Sequence, residues 1–300
     1  MTSVRIGINP ITWSNDDVPE LGGDISLETC LRETQQAGYS GIELGGKFPR
    51  QSEILSPIMD SYGLKLVSGW FDGRCCEREV AAEMEAILPH LQLLKDMGSA
   101  HVVYADTSRG RHGAIWDPIS SRPALRAEEW PDYGRRLTDL AERMAEFGVR
   151  MAFHHHMGTI VETDEEVDLL MRHTSDAVGL LFDTGHSLFA GGDPLALLTR
   201  NVARVVHVHC KDARRDTLER ARRDDLSFMA AVMEGLFTVP GDGCIDYMPI
   251  LRTLAEYGYS GWLVVEAEQD PRKAHPLTYA EMGYKNLKAM AEKSGLTVIR

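Results

Sequence analysis

Two hydrophobic rhythms take turns along this chain. In one, apolar residues return every three or four positions: Val80, Met84, Ile87, Leu91 and Leu94 fall on one helical face, as do Tyr133, Leu137, Leu140, Met144 and Phe147. In the other, short runs are apolar almost throughout, the signature of parallel strands covered by helices. Eight such runs predict strands: Val4–Asn9, Gly41–Leu44, Leu64–Gly69, His101–Ala105, Arg150–His154, Gly179–Asp183, Val205–His209 and Trp262–Glu266. The hand-over between the rhythms recurs in QQAGYSGIEL, SYGLKLVSG, KDMGSAHVVY, AEFGVRMAFH and AEYGYSGWLVV. Gly38, Gly63, Gly98, Gly148 and Gly258 each stand just past a helix end, where the chain needs a left-handed cap. Thr163 with Glu166 predicts a capping box, and Pro194 suits a first helical turn.

Strict alternation of strand and helix implies a parallel sheet. Eight units in 300 residues predict a closed (β/α)8 TIM barrel, with residues 1–300 forming a single domain. An open doubly wound sheet is the other arrangement, but no G-x-G-x-x-G follows the first strand. Two connections are long, from Asp106 to Glu129 and from Lys211 to Asp246. Both leave the C-terminal end of a strand, so both are expected to stand over the catalytic face as lids or substrate loops.

Composition narrows the function classes. The hydrophobic fraction of 43% is enough for a large core, yet no stretch approaches the length of a membrane-spanning helix. The opening MTSVRIGINP lacks the features of a secretory signal. Cys30, Cys75, Cys76, Cys210 and Cys244 are an odd number without metal-binding spacing, and are read as reduced thiols in a cytoplasmic protein. A net charge of −13 argues against a nucleic-acid partner. The basic stretch from Arg204 to Arg223 is interleaved with Asp212, Asp216 and Glu219, as on a solvated helix face.

Polar chemistry gathers where apolar strands end. The fifth strand ends in His154, His155 and His156, the sixth leads to Asp183 and His186, the seventh to His207, His209, Lys211 and Asp212, and the eighth to Glu266 and Glu268. The second carries Glu43 and then Lys47. Any one of these has a structural explanation; together they would converge on one point of a closed barrel. Two imidazoles and two carboxylates suit Mn²⁺, Co²⁺, Zn²⁺ or Fe²⁺ better than Ca²⁺. Strand parity puts His207 with His209 on one face, and His154 with His156.

These residues resemble the xylose-isomerase-like TIM barrel superfamily and, within it, the inosose dehydratases, which act on 2-keto-myo-inositol in inositol catabolism. The resemblance runs nearly end to end, through INPITWSNDD, GIELGGKFP, FHHHMGT, LLFDTGH, HVHCKD and VPGDGCIDY. It implies a metal held by Asp183, His209 and Glu266. The superfamily often has Glu where this chain has His154, so His154 is either a fourth ligand or a substrate contact. The resemblance further implies Mn²⁺ or Co²⁺, a glutathione requirement and a small keto-polyol substrate. Homo-oligomerisation is left open.

Dehydrating a cyclic 2-keto polyol removes a proton α to the ketone and a hydroxyl at the β position. Base candidates are Glu43, His156 and Glu268; acid candidates are His186 and Lys211. Glu43 could instead accept hydrogen bonds from sugar hydroxyls, and Lys211 could pair with Asp212 or Asp183. Lys47 and Arg109 or Arg111 are candidate hydroxyl contacts. Trp13 and Trp70 offer either an apolar wall or core packing. A metal-dependent epimerase or isomerase acting on a keto-polyol would use the same site and return the proton.

Overall fold

The computed structural model describes residues 2–300. Eight parallel strands form the barrel: β1 Ser3–Ile8, β2 Gly41–Leu44, β3 Lys65–Gly73, β4 His101–Asp106, β5 Arg150–His154, β6 Val178–Asp183, β7 Val205–Cys210 and β8 Gly261–Val265. Each pairs with the next in sequence, and β8 closes on β1 through Val4↔Gly261 to Ile8↔Val265. All eight predicted strands are present. The third is longer than its apolar run because it carries Trp70, Phe71 and Asp72 along β4 as far as Asp106.

The main core lies between the barrel and its helices. Val4, Ile6 and Ile8 face outward to pack with Leu287 and Ala291, and Leu137, Leu140 and Met144 cover the β5–β6 side. The barrel interior is thin in apolar matter. Val103, Ala152 and Leu181 form a small plug, with Trp70 against it. Two residues further along their strands, Ala152 and Leu181 give way to His154 and Asp183, so the polar layer rests directly on the plug.

Helix ends follow the sequence cues. Gly38, Gly148 and Gly258 cap their helices at φ of 99°, 107° and 85°. Thr163 and Glu166 make the reciprocal capping box that opens Asp164–His173. Among the described residues, no helix is long and apolar enough to cross a membrane.

The connection after β7 builds its own small layer over the barrel mouth. It contains a two-residue hairpin (Asp212–Ala213 with Phe237–Thr238) and the helices Arg215–Arg223 and Phe228–Met233. A separate apolar cluster, including Leu218, Phe228, Met229 and Phe237 with Met157 and Phe189, holds this layer down. The Asp212 carboxylate accepts N–H bonds from Ala213, Gly241, Gly243 and Ile245 at 2.8–3.2 Å, pinning the return loop VPGDGCIDY. The connection after β4 is mostly irregular, with one short 3-10 turn at Ile119–Ser121.

Candidate metal centre

Register brings the strand ends together. Asp183 lies beside His209, and His209 beside Val264, so β6, β7 and β8 deliver Asp183, His209 and Glu266 to one level, with His154 next to them on β5. Asp183 Oδ2 is 3.5 Å from His209 Nδ1 and 3.6 Å from His154 Nε2, and Glu266 Oε2 abuts His209 Nδ1. One ligand atom from each of the four fits within 4.8 Å of the others. All four side chains are buried, and Asp183 Oδ2, His209 Nδ1 and Glu266 Oε2 have no hydrogen-bond partner. Buried lone pairs left facing one another are costly, and a cation between them removes the cost. The donor set therefore fits a divalent metal.

The remaining atoms of these residues are committed to holding them in place. Asp183 Oδ1 accepts the His186 N–H at 2.8 Å, capping the helix Thr184–Phe189. Burial alone would raise the pKa of Asp183; His186, Lys211, His154 and His209 hold it well below the ordinary carboxylate value. His209 directs Nε2–H to Glu43 Oε1 at 3.1 Å, which leaves Nδ1 as the lone pair facing the cluster.

Glu43, a candidate base or acceptor for sugar hydroxyls, is held in a network of hydrogen bonds. Its oxygens already accept from Asn9 Nδ2 at 2.7 Å, Ser68 Oγ at 2.5 Å, His207 Nε2 at 2.9 Å and His209 Nε2. It lies inside the barrel beneath the cluster, and although burial opposes ionisation, the two imidazoles hold it well below the usual range. Three of these donors meet on Oε1 and one reaches Oε2, so the carboxylate orients both imidazoles from below.

Beside the four-residue cluster lies a second group: His156, His186, Lys211 and Glu268, all buried. Lys211 Nζ is 2.7 Å from Glu268 Oε1, 3.0 Å from His186 Nε2, 3.4 Å from Glu266 Oε1 and 4.6 Å from the centre of the Phe237 ring. Its stem fits because residue 185 is glycine; a Cβ there would come within 2.6 Å of Lys211 Cγ. Despite burial, the neighbouring carboxylates raise the Lys211 ammonium further, and burial pushes the Glu268 carboxyl up to about 7. Lys211 thus pairs with Glu268 and Glu266 rather than with Asp212 or Asp183. His156 donates Nδ1–H to Met157 O at 2.8 Å, so Nε2 carries its lone pair. Burial holds both His156 and His186 well below the ordinary imidazole value.

The mouth is walled by rings. Trp70 sets its edge against His154 and His156 at 5.5 and 5.4 Å, and Phe228 from the lid packs on His156 at 4.9 Å. His112, on the connection after β4, comes within 5.7 Å of His156. Of the two tryptophans, Trp70 serves the wall, while Trp13 is core, with Nε1 donating to Glu33 at 2.7 Å.

Three cationic candidates are engaged elsewhere. Lys47 Nζ donates to the carbonyls of Gly22, Gly23 and Ile25, fastening the loop after β1. Arg109 pairs with Glu77 at 3.4 Å and Glu129 at 3.8 Å, and Arg111 with Asp117 at 3.2 Å. Short-range position after a strand end suggested them; Lys47 and Arg109 are held by partners about twenty or more residues away, Arg111 by one nearby. Asn9, Ser68, His112 and Phe228 were missed. Parity along β3 could have flagged Ser68, but no local pattern marks the other three.

A cavity of about 800 Å³ opens at the opposite end of the barrel, lined among others by Arg5, Lys65, His101, Trp262 and Arg300. It meets the N-terminal ends of the strands and touches none of the clustered donors.

With this geometry in hand, relatives define the class. The xylose isomerase-like TIM barrel description matches residues 31–298, and the chain belongs to that family. Within it, the chain is 43% identical to inosose dehydratase of Geobacillus thermodenitrificans over 92% of its own length and 94% of that protein's. It is 68% identical to the rhizopine catabolism protein MocC of Rhizobium meliloti, covering 98% and 91% of the two chains. It is thus an enzyme of the group that contains the inosose dehydratases, which are hydro-lyases. Solved structures share the fold: an L-ribulose 3-epimerase (TM-score 0.68, 17% identity, 97% and 96% coverage) and the IOLI protein with a bound zinc atom (0.69, 19%, 97% and 99%).

Proposed function

We propose that this enzyme uses a divalent metal to dehydrate a cyclic 2-keto polyol, with 2-keto-myo-inositol (inosose) going to a trihydroxycyclohexane-1,2-dione as the first candidate reaction in inositol catabolism. The observation carrying the reading is the set of unpartnered buried donor atoms on Asp183, His209 and Glu266, with His154 Nε2 beside them, next to a second group of acid–base side chains. The named substrate rests on the inosose dehydratase relatives.

His154, Asp183, His209 and Glu266 are the residues that would hold the ion. When bound there, it supplies positive charge to a ketone oxygen as the α-carbon loses its proton. Mn²⁺ or Co²⁺ is the proposed ion; the zinc of the IOLI protein is another divalent ion suited to imidazole and carboxylate donors.

His156 is the proposed base. Its Nε2 lone pair is set by the Met157 carbonyl, and its ring touches both Trp70 and His154 of the four-residue cluster. The Lys211–Glu268 pair, with His186 against it, is the proposed source of the proton for the departing hydroxyl. Trp70 and Phe228 offer faces to the C–H surface of a ring and keep water from the reacting carbons. Glu43 is a positioning residue for His209 in this scheme.

The test is incubation of the purified protein with Mn²⁺ or Co²⁺ and 2-keto-myo-inositol in D₂O, with and without glutathione. A dione chromophore supports dehydration. An isomeric ketone carrying solvent deuterium and no dione would make the enzyme an epimerase. No change in the keto-inositol, with turnover of rhizopine breakdown products instead, would move the substrate toward that of the 68%-identical relative.

A further inference from the structure

The Lys211 ammonium occupies a position whose surroundings are those of a cation site. His156, His186 and Glu268 each present a ligand-capable atom within 4.8 Å of the others. Lys211 Nζ contacts two of these residues, at 2.7 Å to Glu268 Oε1 and 3.0 Å to His186 Nε2. Glu266 links this group to the first: Oε2 faces His209 in the four-residue cluster, while Oε1 lies 3.4 Å from Lys211 Nζ. One carboxylate thus spans two adjacent positive positions, as bridging carboxylates do between paired metal ions.

We infer that the His156–His186–Glu268 group is a second cation site, kept filled by the chain's own ammonium, so that Lys211 limits the centre to a single metal ion. Three features support it. The Lys211 stem runs past Gly185, where any side chain would collide with it, so the fold makes room for the ammonium at this point. The lysine is fully buried, with no route to water for its charge, and the site's carboxylates are its counter-ions. His186 also closes the site, its Nε2 3.0 Å from Lys211 Nζ. Met157 N–H donates to His186 Nδ1 at 3.2 Å, which fixes the ring in the wall of this site. A lysine delivers one compact positive charge without the open coordination positions of a metal. It therefore neutralises the two glutamates while leaving substrate oxygens only one ion to approach.

The inference rests on the metal reading above only in taking the first position as an ion's, and the two can fail separately. Wild type and K211M are loaded with Mn²⁺, freed of excess ion, and compared by metal content per folded chain and by Mn²⁺ electron paramagnetic resonance. K211M is expected to hold one more ion per chain than wild type, with a spin-coupled signal, and K211M/E268Q to return to the wild-type count. An unchanged count in folded K211M, or an extra ion that survives E268Q, overturns the inference. Should K211M not fold, E268Q and H186A in the wild-type background decide the matter. Both are expected to keep the wild-type metal count, because an ammonium and not a metal sits between them; loss of an ion in either overturns it. A wild type with no bound ion would sink the metal reading alone.

Discussion

The two mouths of the barrel make opposite use of concavity. The N-terminal mouth is roomy, at about 800 Å³, and its charged groups Arg5, Lys65 and Arg300 line it without converging on any atom. The C-terminal mouth is crowded, and its polar residues are buried and aimed at one another. Empty volume is therefore a poor guide here. Buried donors lacking partners mark the chemistry, since a fold tolerates them only when something else satisfies them.

That contrast can be broken most directly by substituting at both ends. Asp183→Asn should remove bound metal and lower kcat/KM by about 10³-fold or more, since it deletes a charge at the ion while the asparagine oxygen still caps the helix carrying His186. The double variant Arg5→Ala/Lys65→Ala should keep full metal content and stay within about twofold of wild-type activity, as surface substitutions usually do. Comparable losses from both would erase the distinction between the mouths.

Removing the metal sharpens the same point. Chelation should abolish turnover and lower stability, by about 2.7 kcal/mol if free ion had stood at a hundred times its Kd. The drop in denaturation midpoint should be the same in the Arg5→Ala/Lys65→Ala protein and absent in Asp183→Asn.

Glu43→Gln tests the layer beneath the cluster. Loss of the carboxylate that orients His209 should weaken metal affinity by about 10–100-fold. At saturating metal, solvent-deuterium exchange at the substrate α-carbon should persist if His156 is the base as proposed; its disappearance would give Glu43 the acid–base role.

The smallest effects separate the mouths by pH. Near the C-terminal mouth, burial raises Glu162 to about 7, so the folded chain binds a proton that the unfolded chain has lost. Stability from this group is present below the ordinary glutamate value near 4.5 and is lost as pH rises through 7. At the N-terminal mouth, burial lowers His101 to about 3, so the unfolded chain binds the extra proton, and stability is lost as pH falls from 6.5 toward 3. Urea midpoints should show Glu162→Gln gaining on wild type as pH rises from 5 to 8, and His101→Gln gaining as pH falls from 7 to 4. The reverse trends would refute the assignments.

Much of this was written in local pattern. Alternating periodicities and capping glycines located every barrel strand, since strands and helices are set by neighbours in sequence. The cluster His154, Asp183, His209 and Glu266 was also legible, because strand parity and position at a strand's C-terminal end suffice to aim a side chain at the barrel axis. Lys47, Arg109 and Glu43 illustrate where this stops. Each sits at a strand end or just beyond, and each is claimed by groups far along the chain: Gly22 and Ile25, Glu77 and Glu129, His207 and His209.

The sequence by itself determined the alternation of elements, the closure of eight strands and the residues at their ends, because backbone geometry translates spacing into direction. Tertiary structure alone decided which of those groups remain free. Whether a buried carboxylate or ammonium is a ligand, a base or a prop depends on who else reaches it, and hydrogen-bond partners are chosen by proximity in space across more than a hundred residues of intervening chain, as between Glu43 and His207.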